Sequence, residues 1–182
     1  TGGFMLMPFG SAFTVNNLGI HVESLPLIYL VTGASAIFIG PIVGKLSDLY
    51  GKFRVFVFGT LLSSAMVLIY THLGITPLHY VMLVNVVLFV GIFSRMIPSQ
   101  TLMSAVPDPA SRGAFMSVSS SLQQIAGGVA SVLAGLIVVQ EGANAPLQHF
   151  DRIGYVIIGA SAITLFMMYK INRVVLKKMA AK

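Results

Sequence analysis

Six long apolar stretches, separated by short segments rich in proline, glycine and charge, constrain this chain more than any other feature. They run from about 3–20, 26–46, 53–71, 78–104, 113–140 and 153–170, and about 20 apolar residues suffice for a helix to cross a bilayer. Strands of a membrane barrel would be shorter and would alternate polar with apolar residues. Runs such as Val81 to Val90 and Ile125 to Val139 are instead apolar all round or striped at helical spacing. Composition agrees: 9% of the 182 residues are charged, against about 25% in soluble domains. The sixteen Lys, Arg, Asp and Glu side chains cannot coat a soluble domain of this size. The expected fold is an all-α integral membrane protein, a six-transmembrane-helix bundle forming one domain over residues 1–182.

The same numbers exclude a disordered chain, and the absence of cysteine excludes a disulfide scaffold. The net charge of +6 does not signal nucleic acid, because its placement along the chain explains it. If the chain starts inside, Lys45, Lys52, Arg54, Arg112, Lys170, Arg173, Lys177, Lys178 and Lys182 collect on the inner side and only Arg152 lies outside. That asymmetry puts both termini in the cytoplasm. The first stretch has no initiating methionine and no basic leader, so it does not read as a signal peptide. Its shortness suggests a piece of a longer protein.

The segment Gly44-Lys-Leu-Ser-Asp48-Leu-Tyr-Gly51-Lys52-Phe-Arg54 joins the second and third stretches. Gly44, one turn after Gly40, permits close helix approach; Gly51 can take a positive φ; Asp48 can pair with Lys52 or accept from a helix N-terminus. The pattern resembles the cytoplasmic signature loop of the major facilitator superfamily, with Leu49 and Phe53 standing where that family usually has basic residues. Leu25-Pro-Leu-Ile-Tyr-Leu30 leading into Gly33, and Pro107 to Gly113 followed by Ser117 to Gly128, are similar to bacterial efflux-permease members. The first-half motifs of the family are missing, so the resemblance points to its C-terminal half, helices 7–12. It implies a secondary transporter of small molecules that works by alternating access, with proton-coupled efflux across a bacterial inner membrane. A partner follows from it: the N-terminal six-helix half, or a second copy of this chain. In that scheme Gly44, Asp48, Gly51, Lys52 and Arg54 form a gating latch.

Candidate cavity residues come from polar side chains inside the stretches. Arg95 is the only charge within one, at an insertion cost of at least about 2.5–3.5 kcal/mol. It faces either a substrate or, by snorkelling, the inner headgroups; Asn85 and Ser99 share its broad face. In the fifth stretch Ser117, Ser121, Gln124, Gly128, Ser131 and Gly135 recur every three or four residues. That seam reads as helix packing at its glycine end and as cavity lining at Ser121 and Gln124. Gly33, Gly40, Gly44 and Ser47 form a second seam, expected to pack against another helix. Asn17, near the outer end of the first stretch, is either a pocket residue or a helix cap. All five carboxylates, Glu23, Asp48, Asp108, Glu141 and Asp151, fall in loops or at stretch ends, so no titrating group for proton coupling is expected at depth. The four histidines lack metal-binding spacing, and no hydrolase or phosphate-loop motif occurs, so neither metal, cofactor nor enzymatic activity is expected. A non-transporting receptor, scaffold or assembly subunit on the same bundle is the alternative.

Overall fold

A computed structural model describes residues 2–142 and 145–180. Among the described residues the chain forms α1 (Gly2–Leu6), α2 (Gly10–Asn16), a 3-10 turn (Val22–Ser24), α3 (Leu25–Tyr50), α4 (Lys52–Thr71), α5 (Leu78–Ser104), α6 (Arg112–Ile137) and α7 (Phe150–Ala180). Helices α3 to α7 are each long and apolar enough to cross a membrane. The fold is all-α as expected, with five candidate spans among the described residues where six were expected, and α4, α5 and α6 begin and end within a few residues of the apolar stretches.

The first stretch departs from a continuous span. Pro8 lacks an N–H and its ring crowds the carbonyl four residues back, so the helix breaks at Met7-Pro8-Phe9 into α1 and α2. The Phe4 carbonyl, which residue 8 would have served, accepts instead from Ser131 Oγ of α6 at 3.0 Å. A neighbouring hydroxyl thus satisfies a backbone group that a bilayer would leave unpaired. α7 departs in the other direction and continues as helix past residue 170. Its 31 residues span about 46 Å at 1.5 Å each, more than the hydrocarbon thickness of about 30 Å. The extension is where Lys170 lies over the Phe166 ring at 4.8 Å and Arg173 over Tyr169 at 5.0 Å.

The centre of the bundle is an antiparallel crossing of α4 and α5 that depends on two glycines. A Cβ on Gly59 would sit 2.5 Å from the Ser94 carbonyl carbon and 2.7 Å from the Arg95 nitrogen. One on Gly91 would sit 2.7 Å from the Ser63 nitrogen. Gly59 and Ser63 are one turn apart on α4, as are Gly91 and Arg95 on α5, so the two contacts belong to one register. α7 packs antiparallel on the other side of α4, with Gly154 against Thr71 Oγ1 at one end and Phe56 clustered with Met168 at the other. α3 lies along α5. The end of the bundle where α4 meets α5 is sealed by α2, whose Phe13 stacks on Phe150 at 4.1 Å and tilts against Tyr70 at 5.3 Å.

The expected packing seam on α3 is not packed. A Cβ added at Gly33, Gly40 or Gly44 meets nothing within 4 Å, and Ser47 alone of that seam is buried. Small residues permit close approach without naming a partner, and here the glycines used are Gly59 and Gly91. Gly59→Ala is therefore expected to destabilise by about 1–3 kcal/mol through overpacking, while Gly40→Ala leaves stability unchanged or raises it. Thermal unfolding in detergent reads both, and equal midpoints for the two variants would remove the glycine crossing as the centre of the fold.

Candidate functional site

The six candidate cavity residues do not converge. Arg95 is half-buried on α5 and turns toward α4 and α7, its Nη1 donating to Ser63 Oγ at 3.5 Å and to Ser161 Oγ at 3.4 Å. Both serines are almost wholly buried, at 2% and 3% exposure. No carboxylate pairs with Arg95 among the described residues. The guanidinium thus joins three helices inside the bundle, on the face of α5 that also makes the Gly59 contact. Sequence reading missed Ser63 and Ser161 because small hydroxyl residues such as Ser63, beside Ser64, and Ser161 do not stand out within an apolar stretch.

Asn17 is held by structure. Its Oδ1 accepts from the Leu147 N–H at 2.8 Å, and its Nδ2 donates to the Leu147 carbonyl at 3.0 Å. This two-way amide clip ties the end of α2 to the segment before α7. The same residues border a small polar pocket of about 290 Å³ that also includes His72, His149 and Asp151. Asn85 donates back to the Val81 carbonyl at 2.8 Å, and Ser99 to the Met96 carbonyl at 2.8 Å, so both are satisfied within α5.

Helix α6 divides into two halves along its seam. In the C-terminal half Gly127 faces the Phe4 ring, where a Cβ would sit 3.1 Å away, Ser131 bonds the Phe4 carbonyl, and Gly135 approaches Phe9. Gly128, the expected packing glycine, has nothing within 4 Å of a Cβ; its neighbour Gly127 takes that place. The N-terminal half has no such cover. Ser117, Ser121 and Gln124 are exposed, with Ser121 Oγ donating to the Ser117 carbonyl at 3.1 Å. Ser120 and Gln123 are exposed too, and Gln123 Nε2 donates to Ser119 Oγ at 3.4 Å. The polar surface therefore extends beyond the seam. Its signal was legible as six Ser or Gln residues between 117 and 124.

The signature loop forms a tight corner. Gly51 takes φ +94° and ψ 135°, a conformation open to glycine, and separates the end of α3 at Tyr50 from the start of α4 at Lys52. Lys52 Nζ lies 3.6 Å from Asp48 Oδ1 across that corner. Asp48 and Arg54 are both exposed, and Gly44 is half-buried. An exposed pair of this kind contributes about 0–1 kcal/mol, so its value lies in the geometry of the turn.

Over residues 1–179 the sequence matches the family described as Major Facilitator Superfamily. The chain belongs to the major facilitator superfamily. Its members are transporters, and a transporter is what this multi-pass membrane protein is. No curated protein and no solved structure matches the chain significantly. Within this major facilitator bundle, removing the Arg95 side chain should weaken the tie between α7 and the α4–α5 crossing. Arg95→Ala, Ser161→Ala and the double variant are expected to show a coupling of about 0.5–3 kcal/mol in unfolding stability; strict additivity would mean the 3.4 Å contact contributes nothing. Asn17→Ala should expose the Leu147 amide, read as faster hydrogen exchange at that residue with α7 unchanged.

Proposed function

We propose that this chain is one half of a secondary transporter that carries a small molecule by alternating access. The complementary half is an N-terminal six-helix bundle or a second copy of the chain. One observation carries the reading: the exposed polar surface at the N-terminal half of α6. Ser121 Oγ donates to the Ser117 carbonyl, but so many exposed Ser and Gln side chains on one stretch of a membrane-spanning helix suit protein or water better than lipid. The C-terminal half of the same helix supports this contrast, because there Gly127 and Ser131 meet Phe4 of α1. Rocking of one half against another needs a body that moves as a unit, and the α4–α5–α7 unit, pinned by Arg95, supplies one. Arg95 in this scheme is a positioning residue, with the solute path along α6.

The resemblance to efflux permeases extends the proposal to export in exchange for protons, in a bacterial inner membrane with both termini cytoplasmic. All five carboxylates lie in loops or at helix ends. A proton-coupling group would then belong to the complementary half. The Gly51 corner, with Asp48, Lys52 and Arg54, would be the latch that the two halves make and break.

The protein contains no cysteine, so a single introduced thiol reports its own surroundings. Ser121→Cys and Gln124→Cys are expected to react with a membrane-impermeant thiol reagent in vesicles, while Val132→Cys, exposed and apolar on the same helix, stays unlabelled. Solute flux into the same vesicles should fall when Ser121→Cys is labelled. Failure of both polar positions to react, with the loop variant Ser111→Cys reacting normally, would overturn the reading.

A further inference from the structure

A groove of about 530 Å³ runs between α3, α4 and α5 and reaches Ser94 at the α4–α5 crossing. Its volume falls within the roughly 300–1,000 Å³ typical of ligand sites. Its walls include Ile39, Val43, Leu46, Phe58 and Val90, and Arg54 stands at its rim. The lining on α3 extends from Ile39 to Tyr50, eleven residue steps. At 1.5 Å per step that is about 16 Å along the helix axis, and one leaflet of hydrocarbon is about 15 Å deep. The groove thus has the depth of a single leaflet. With the Gly51 corner placed at the membrane surface, the groove would begin near the bilayer middle and end where the Tyr50 hydroxyl and the Arg54 guanidinium reach headgroup level.

Charge gives the rim its selectivity. Asp48, the nearest carboxylate in sequence, is engaged by Lys52. Arg54 is exposed and has no ion-pair partner among the described residues. A guanidinium offers paired donors that match the oxygens of a phosphate. An apolar channel one leaflet deep beneath a phosphate-binding group fits an amphiphile with one long tail in the groove and an anionic head above it.

We propose that this groove is a binding site for an anionic phospholipid of the leaflet at the Gly51 end, with an acyl chain along Ile39, Val43 and Phe58 and the phosphate on Arg54. The site is separate from the α6 surface, and it stands whether or not the chain transports a solute. A lipid seated there fills the space between α3 and the α4–α5 pair. It thereby ties the position of α3, whose glycine face is open, to the lipid composition of that leaflet.

The protein has no tryptophan, which allows a direct test. Phe58→Trp places one fluorophore in the groove wall, and Ile163→Trp places one on the exposed apolar surface of α7. Each variant is reconstituted in vesicles containing increasing fractions of tail-brominated phosphatidylglycerol or tail-brominated phosphatidylcholine, and quenching is recorded. For Phe58→Trp, half-maximal quenching is expected at an about fivefold lower fraction of the anionic lipid, the preference one basic residue confers at a membrane surface. Adding Arg54→Gln should abolish that preference while both lipids still quench. Ile163→Trp should be quenched by both lipids alike, which also reports insertion. Equal quenching of Phe58→Trp by the two lipids overturns the proposal, as does a preference that survives Arg54→Gln or appears equally at Ile163→Trp. Quenching by neither lipid would mean that protein covers the groove. Loss of the preference on adding inorganic phosphate, at matched ionic strength, would mean a site for free anions. Both results overturn it.

Discussion

The rest of the structure depends on how closely α4 and α5 approach. Gly59 and Gly91 bring the two backbones to a separation at which neither position admits a Cβ. Helices in lipid gain nothing by hiding apolar surface from one another, because the acyl chains are equally apolar; they gain from close packing and from hydrogen bonds. Two glycines one register apart supply the first. Arg95, immediately beside the Gly59 contact, supplies the second by reaching Ser63 and Ser161. A guanidinium that would be costly against lipid is thereby spent on joining three helices.

From that centre the bundle becomes less enclosed outward. α7 is held on α4, and α2 seals one end through the Phe13, Tyr70 and Phe150 rings. α3 and the first half of α6 remain open, with α3 presenting Gly33 and α6 presenting Ser117, Ser121 and Gln124. In the proposed two-half transporter these open faces would have a physical purpose. A rigid part and an uncovered part are what one side of a two-sided transporter requires. The groove that Arg54 borders lies between α3 and the α4–α5 pair.

Much of this was legible in the residues. Segment boundaries for α4, α5 and α6, the positive φ at Gly51 and the Asp48–Lys52 pair follow from apolar length, turn chemistry and spacing. The break in the first stretch was also written there, in Pro8, but its resolution was not. That the freed Phe4 carbonyl finds Ser131 requires knowing that α1 lies against α6. The glycine seams show the limit most clearly. Gly33, Gly40 and Gly44 have better small-residue periodicity than Gly59 and Gly91, yet only the latter pair is in contact.

By itself the sequence determined that the chain lives in a bilayer, roughly where α4, α5 and α6 start and stop, and which segments carry the positive charge. Those follow from transfer between water and hydrocarbon, a property each segment has alone. The tertiary structure decided which face of each helix meets protein. In hydrocarbon an apolar side chain is equally content against lipid or against a neighbour, so hydropathy cannot separate the two. That is why Arg95, expected among Asn17 and Gln124, is instead between Ser63 and Ser161, and why Asn17 clips Leu147. A polar side chain in a membrane must find a partner, and only the packed fold determines which one is within reach.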